Sequence, residues 1–185
     1  AGGVRYTRGG GEANAMCVRI ARAFTGKDKV AICGYHGWHD WYVSVNLADD
    51  RALDGHLLPG IPTGGVHKGL RGTSIPFHYN NIAELEEIVA KNPDLAVVKM
   101  EVCRNFGPED NFLQKVRDLC TKSGIVLIFD ECTSGFRETF GGLYKKYGVN
   151  PDMTIYSKTM ANGYALSAVV GRKDIMEAAQ GSWIS

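Results

Sequence analysis

Three consecutive stretches narrow what this chain can fold into: "LAVVKM" at 95–100, "DNFLQKVRDLCTKSG" at 110–124 and "IVLIF" at 125–129. The first and third are near-continuous apolar runs of strand length, and the second places its apolar residues at three- and four-residue spacing, as one helix face requires. A strand that is apolar throughout must be covered on both faces, and a helix between two such strands returns the chain to the same end of the sheet. The expectation is a strand–helix–strand unit in a largely parallel α/β sheet with helices on both faces.

The rest of the chain repeats the alternation. From Glu12 the positions Ala13, Met16, Cys17, Ile20, Ala21 and Phe24 form one apolar helix face that Gly26 ends. "KVAIC" at 29–33 predicts a buried strand, "NIAELEEIVAKN" a helix, and "MTIY" and "LSAVVG" two late strands. Residues 36–80 are rich in glycine and proline without clear periodicity, which is long for a structureless connection and suits a functional surface or a partner contact. No repeat or low-complexity tract interrupts the 185 residues, so one compact unit is expected.

Charge and cysteine content exclude some functions. With 21 basic and 20 acidic side chains the net charge is +1, which offers no attraction to nucleic acid or to an anionic membrane. No apolar run is long enough to span a bilayer, and the first residues lack the layout of a signal peptide. Five cysteines scattered singly suit a reducing, cytoplasmic setting.

In a sheet of this kind ligands bind beyond the carboxyl ends of the strands. Asp130, Glu101, Tyr35 and Lys158 all fall at or just after predicted strand ends, and so should converge on one edge. A lysine at a strand end is either a solvated side chain or a Schiff-base nucleophile. A buried Asp130 needs a cation or several donors, and it is open between a structural pair or cap and a partner for a protonated pyridine nitrogen. "RGGGEANA" runs a glycine turn into a helix whose first amides are free, so Gly10 and Gly11 can approach an anion closely. Tyr35 in "GYHG" offers a stacking surface. A lysine for an aldehyde, a carboxylate for a ring nitrogen, amides for a phosphate and an aromatic face are what pyridoxal phosphate requires. A competing reading makes His36, His39 and Asp40 metal ligands, since those residue types are closely spaced in "HGWHD", but no further His or Cys cluster completes a site.

Taken together, "GGGEA", "GYHG", "DECTSGFR" and "PDMTIYSKTMANGYALSAVVGRKDIM" resemble, in order, the sequence signatures of class III aminotransferases of pyridoxal-phosphate fold type I, with glutamate-1-semialdehyde 2,1-aminomutase-like members the nearest in look. The resemblance implies that Lys158 is the Schiff-base lysine and proton shuttle and that Asp130 partners the ring nitrogen. It implies phosphate-binding amides at Gly10 and Gly11, Tyr35 packed on the ring, and Thr133 near the ring hydroxyl. It implies a transaminase working between a small amino donor and an oxo acceptor, with an aminomutase or an inactive cofactor-binding fragment as alternatives, and a homodimer. Residues 1–185 then correspond to the large-domain core, without the family's N-terminal segment or its C-terminal small domain. The sequence departs from the family pattern at Gly9, where a serine is usual, and at "EVCRNFG", which lacks a proline and one residue. These departures leave the roles of Glu101 and Asn105 open, and Glu131 has no proposed cofactor contact.

Overall fold

The structure, a computed structural model, describes residues 2–56 and 59–184. Its frame is a seven-stranded sheet in the order β1-β7-β6-β5-β4-β2-β3. The strands are β1 (Gly3–Thr7), β2 (Lys29–Cys33), β3 (Ser74–Pro76), β4 (Leu95–Glu101), β5 (Val126–Glu131), β6 (Met153–Tyr156) and β7 (Ser167–Gly171). The helices are α1 (Gly10–Thr25), α2 (Asp40–Val43), α3 (Ile82–Lys91), α4 (Phe112–Ser123), α5 (Tyr144–Tyr147) and α6 (Lys173–Gly181).

Every residue of β4 and of β5 is buried, as their apolar runs demand of central strands. Successive side chains go to opposite faces. Val97, Val126 and Ile128 therefore join the α1 and α6 side of the core with Ile20, Ile155 and Ile175. Val98, Leu127 and Phe129 join the α3 and α4 side with Leu85, Leu113 and Val116. Helix α4 ends where Gly124 takes φ 63° and its N–H reaches back to Cys120 and Thr121, a left-handed cap that glycine adopts at least cost. Helix α1 begins after Gly9, whose missing side chain leaves the cap unfilled, while the Glu12 carboxylate accepts from the Arg8 N–H at 2.9 Å.

The largely parallel expectation holds for the middle of the sheet, where β3-β2-β4-β5-β6 are parallel, but β7 and β1 add antiparallel pairs at one edge. Strands β1 and β3 and helix α6 go beyond the elements that periodicity predicts. Strand β1 is short, carries Arg5 within it, and obtains its ladder from β7 at the far end of the chain. Strand β3 has three residues and lies inside the glycine- and proline-rich stretch, where α2 and the 3₁₀ turns at Ser44–Leu47 and Lys68–Leu70 also form. Long-range pairing makes such edge strands, and local periodicity does not report it.

Candidate functional site

The carboxyl ends of the parallel strands open into a cleft lined by Gly10, Gly11, Tyr35, Asp130, Thr133 and Lys158. All six site residues expected from the sequence thus meet in one place. Tyr35 follows β2, Asp130 is the penultimate residue of β5, Thr133 lies just beyond that strand, and Lys158 comes two residues after β6. The N-terminus of α1 supplies Gly10 and Gly11. A β-carbon on Gly11 would sit 2.7 Å from the His39 ring, and one on Gly10 would be 3.0 Å from the Cys132 sulfur. A side chain at either position would crowd the start of the helix.

Asp130 is fixed in three ways. His36 Nδ1 lies 2.8 Å from Oδ2, the Cys132 N–H donates to Oδ1 at 3.0 Å, and the side chains of both His36 and Asp130 are almost wholly buried. Burial alone would raise the carboxyl, but the nearby Lys99 charge and the hydrogen bond from His36 outweigh it and hold Asp130 well below the usual carboxylate range. Burial also pushes the His36 imidazole below its ordinary value, so a neutral ring donates Nδ1–H to an ionised carboxylate.

Lys158 stands in contrast. It is exposed, its Nζ donates to Thr133 Oγ1 at 3.0 Å, and its backbone has φ 44°, in the left-handed region that side chains with a β-carbon rarely take. Such a backbone stores about 1 kcal/mol and recurs at functional positions. The Ser157 and Ser167 hydroxyls, 2.8 Å apart, tie the preceding residue to β7.

The remaining open residues have definite places. Glu131 is buried, accepts from the Tyr144 N–H at 3.0 Å and from the Ser134 hydroxyl, and so braces the loop after β5 and the start of α5. Glu101 accepts from the Tyr35 N–H at 3.1 Å and pairs with Arg104 at 2.9 Å. Burial, more than the opposing Arg104 charge, moves its carboxyl up to about 7. Asn105 is exposed and lines a neighbouring cavity with Glu101 and Arg104. The metal reading of His36, His39 and Asp40 does not hold together: His36 turns to Asp130, the His39 ring packs over Gly11, and Asp40 is exposed at the start of α2. Among the described residues no group of three His, Cys, Asp or Glu side chains is placed to hold a metal.

Two further residues at this site carry little signal in the sequence. His36 looks like an ordinary histidine, and its contact with Asp130 depends on tertiary structure alone. Lys99 sits in the middle of β4 and is completely buried. A lysine interrupting the run "LAVVKM" is the one mark the sequence gives of it.

An open α/β sheet with a buried carboxylate, a strand-end lysine and a glycine-led helix start around one cleft defines a ligand-binding domain of the kind that works at strand carboxyl ends. The chain belongs to the class-III aminotransferase family, whose model matches residues 3–183. It is 37% identical over 175 residues to a 3-aminobutyryl-CoA aminotransferase from Cloacimonas acidaminovorans, covering 91% of this chain and 38% of that protein. It is 39% identical over 181 residues to a glutamate-1-semialdehyde 2,1-aminomutase from Nitrosopumilus maritimus, covering 94% of this chain and 41% of that protein. Among solved structures it matches an omega-transaminase from Sphaerobacter thermophilus with TM-score 0.80 and 30% identity, over 94% of this chain and 41% of that one. A transaminase with pyridoxal phosphate bound matches at the same TM-score, 0.80, and identity, 30%, over 94% and 41% of the two chains. The chain thus spans about two fifths of the length of these relatives. No helix among the described residues is long and apolar enough to cross a membrane.

Proposed function

We propose that residues 1–185 form the cofactor-binding core of the large domain of a pyridoxal-phosphate-dependent aminotransferase, one that moves an amino group from a small amino donor to an oxo acceptor. The observation that carries this is the meeting of Lys158, Asp130, Thr133, Tyr35, Gly10 and Gly11 in one cleft. The donor set fits the cofactor: an amine on an exposed strand end, an ionised carboxylate on the floor, and helix amides with an unfilled cap for a phosphate.

Pyridoxal phosphate, when bound, supplies an aldehyde that exchanges amines and a ring that takes up electrons from the substrate carbon. Asp130 would hold a proton on the ring nitrogen, with His36 and the Cys132 N–H keeping the carboxylate aimed. Gly10 and Gly11 would hold the phosphate by their backbone amides, and Tyr35 would cover a ring face. Thr133 accepts from the Lys158 amine and would donate toward the ring hydroxyl. Lys158 would be the amine that holds the aldehyde, and its Nζ would be the base that takes a proton from the substrate carbon and later returns it.

The likeness to aminomutases supports a second reading, in which the same residues return the amine to a neighbouring carbon of the same molecule. Incubation of the whole polypeptide that contains this sequence with pyridoxal phosphate and a panel of amino donors separates the two. Free oxo product is expected for transfer, and its absence alongside an isomerised amine would favour the mutase. Exposed aromatic side chains at Trp38, Phe140 and Tyr164 support a homodimer, with the surface of 36–80 in the contact. A dimer mass by light scattering is the expected result. A cytoplasmic setting accords with five unpaired cysteines.

A further inference from the structure

Lys99 is the one lysine of the central strand β4, and it is 0% exposed. It faces Ile32 of β2 on one side and Ile128 of β5 on the other, both part of the core beneath α1. Its ammonium reaches the Cys17 sulfur of α1 at 3.5 Å, and that thiol spends its own proton on the Asn14 carbonyl at 3.1 Å. A thiol sulfur is a weak acceptor for a group with three donors and a full charge. No carboxylate lies within ion-pair distance of Lys99 among the described residues.

A buried ammonium without a counter-charge is strongly unfavourable, so its nearest carboxylate on the same face matters. Lys99 and Glu101 share a face of β4 as residues two apart, and Glu101 lies opposite Asp130 in β5. Lys99 and Asp130 are therefore diagonal neighbours on the α1 side of the sheet. Glu101 is already committed to Arg104 and the Tyr35 N–H, which leaves Asp130. The ionisable groups that meet Lys99 from the surrounding elements are Cys17 of α1, Asp130 of β5, Cys132 just after β5 and His36 of the loop after β2. Of these only Asp130 carries negative charge, since burial keeps Cys17 and Cys132 thiols.

We propose that Lys99 is a buried second cation for Asp130, a positioning residue that fixes how much of that carboxylate's charge remains for the ring nitrogen of a cofactor in the cleft. With an ionised Asp130, a neutral His36 and a charged Lys99, the floor of the cleft is neutral before any ligand enters. A pyridinium proton then shares one carboxylate with an ammonium that is already there. The consequence is a ring nitrogen less fully protonated than a lone carboxylate would make it, and a floor that stays folded when the cleft holds no cofactor. This inference rests on the pyridoxal-phosphate reading for the ring nitrogen, and on the sheet geometry alone for the Lys99–Asp130 pair.

Two measurements on the whole polypeptide test the two parts separately. The first loads Lys99→Met, Lys99→Arg and the unaltered protein with pyridoxal phosphate labelled with ¹⁵N in the ring and reads the nitrogen shift by NMR. Lys99→Met is expected to move the signal toward the pyridinium position and Lys99→Arg to leave it near that of the unaltered protein. A signal that stays put in Lys99→Met, or moves toward free pyridine, overturns the tuning. The second measures urea unfolding of cofactor-free protein in a cycle of Lys99→Met and Asp130→Asn, with Lys99→Gln run in parallel should the methionine variant not fold. A coupling of about tenfold in the unfolding constant is expected for neighbours of this kind. Additive effects overturn the pair whether or not pyridoxal phosphate binds. Failure of the unaltered protein to take up the cofactor on Lys158 would instead defeat the functional reading, and the unfolding cycle would still decide for or against the Lys99–Asp130 pair.

Discussion

The floor and the mouth of the cleft are built in opposite ways. Asp130 at the floor is buried, held by His36 and the Cys132 N–H, and has the buried Lys99 as its diagonal neighbour in the sheet. Lys158 at the mouth is exposed, has one polar contact to Thr133, and sits on a backbone with positive φ. The floor is part of the core and cannot change without disturbing the fold. The mouth contributes little to stability, so its strain and its amine are available for chemistry. Loss of function without loss of fold is therefore expected from one end, and both losses together from the other.

Lys158→Ala puts this contrast under the greatest stress. Turnover of the whole polypeptide should fall by about 10³-fold, as expected when a proton-transferring group is removed, while the urea midpoint barely moves. Steady-state rates and denaturation on the same preparation check both halves. Asp130→Ala should do the reverse in emphasis: removing one member of a buried pair costs about 3–5 kcal/mol. That would be read as a lower urea midpoint even in cofactor-free protein.

Changing the pH separates the floor further, because two of the buried carboxyls at the strand ends, Asp130 and Glu101, move in opposite directions. Asp130 is held below its ordinary range, so its contribution is present near neutrality and is lost as the pH falls toward strongly acidic values. Glu101 is raised from 4.5 to about 7, so the folded state binds a proton that the unfolded chain has released in that window. Its contribution is complete below 4.5 and declines as the pH rises through about 7, by about 3 kcal/mol in all. Unfolding measured across that window should show the decline, and Glu101→Gln should flatten it. The smallest effect is expected from Gly11→Ala, where the new methyl meets the His39 ring. A stability loss of about 1–3 kcal/mol is expected from the overpacking, together with weaker retention of pyridoxal phosphate measured by dialysis.

Much of the floor is legible in the sequence, because "IVLIFDECTSG" names its own strand and places Asp130 at the end. The partners of Asp130 are not. His36 lies far from Asp130 in sequence and meets it only because β2 and β5 flank the same strand, β4. Lys99 is hidden by its strand: the apolar run predicts burial, and only the register sets the lysine inside it diagonal to Asp130. Glu131, adjacent to Asp130, alternates to the other face and braces α5, as the pleat of a strand requires. The antiparallel edge of β7 and β1 is beyond local pattern for a related reason, since its ladder joins the two ends of the chain.

The assignment of the mouth to covalent chemistry rests on one amine, and borohydride reduction of the whole polypeptide loaded with pyridoxal phosphate, followed by peptide mass mapping, examines that amine itself. One stable pyridoxyl adduct is expected, on Lys158, and it should disappear in Lys158→Ala. An adduct carried by another lysine, or none in the unaltered folded protein, would refute the assignment.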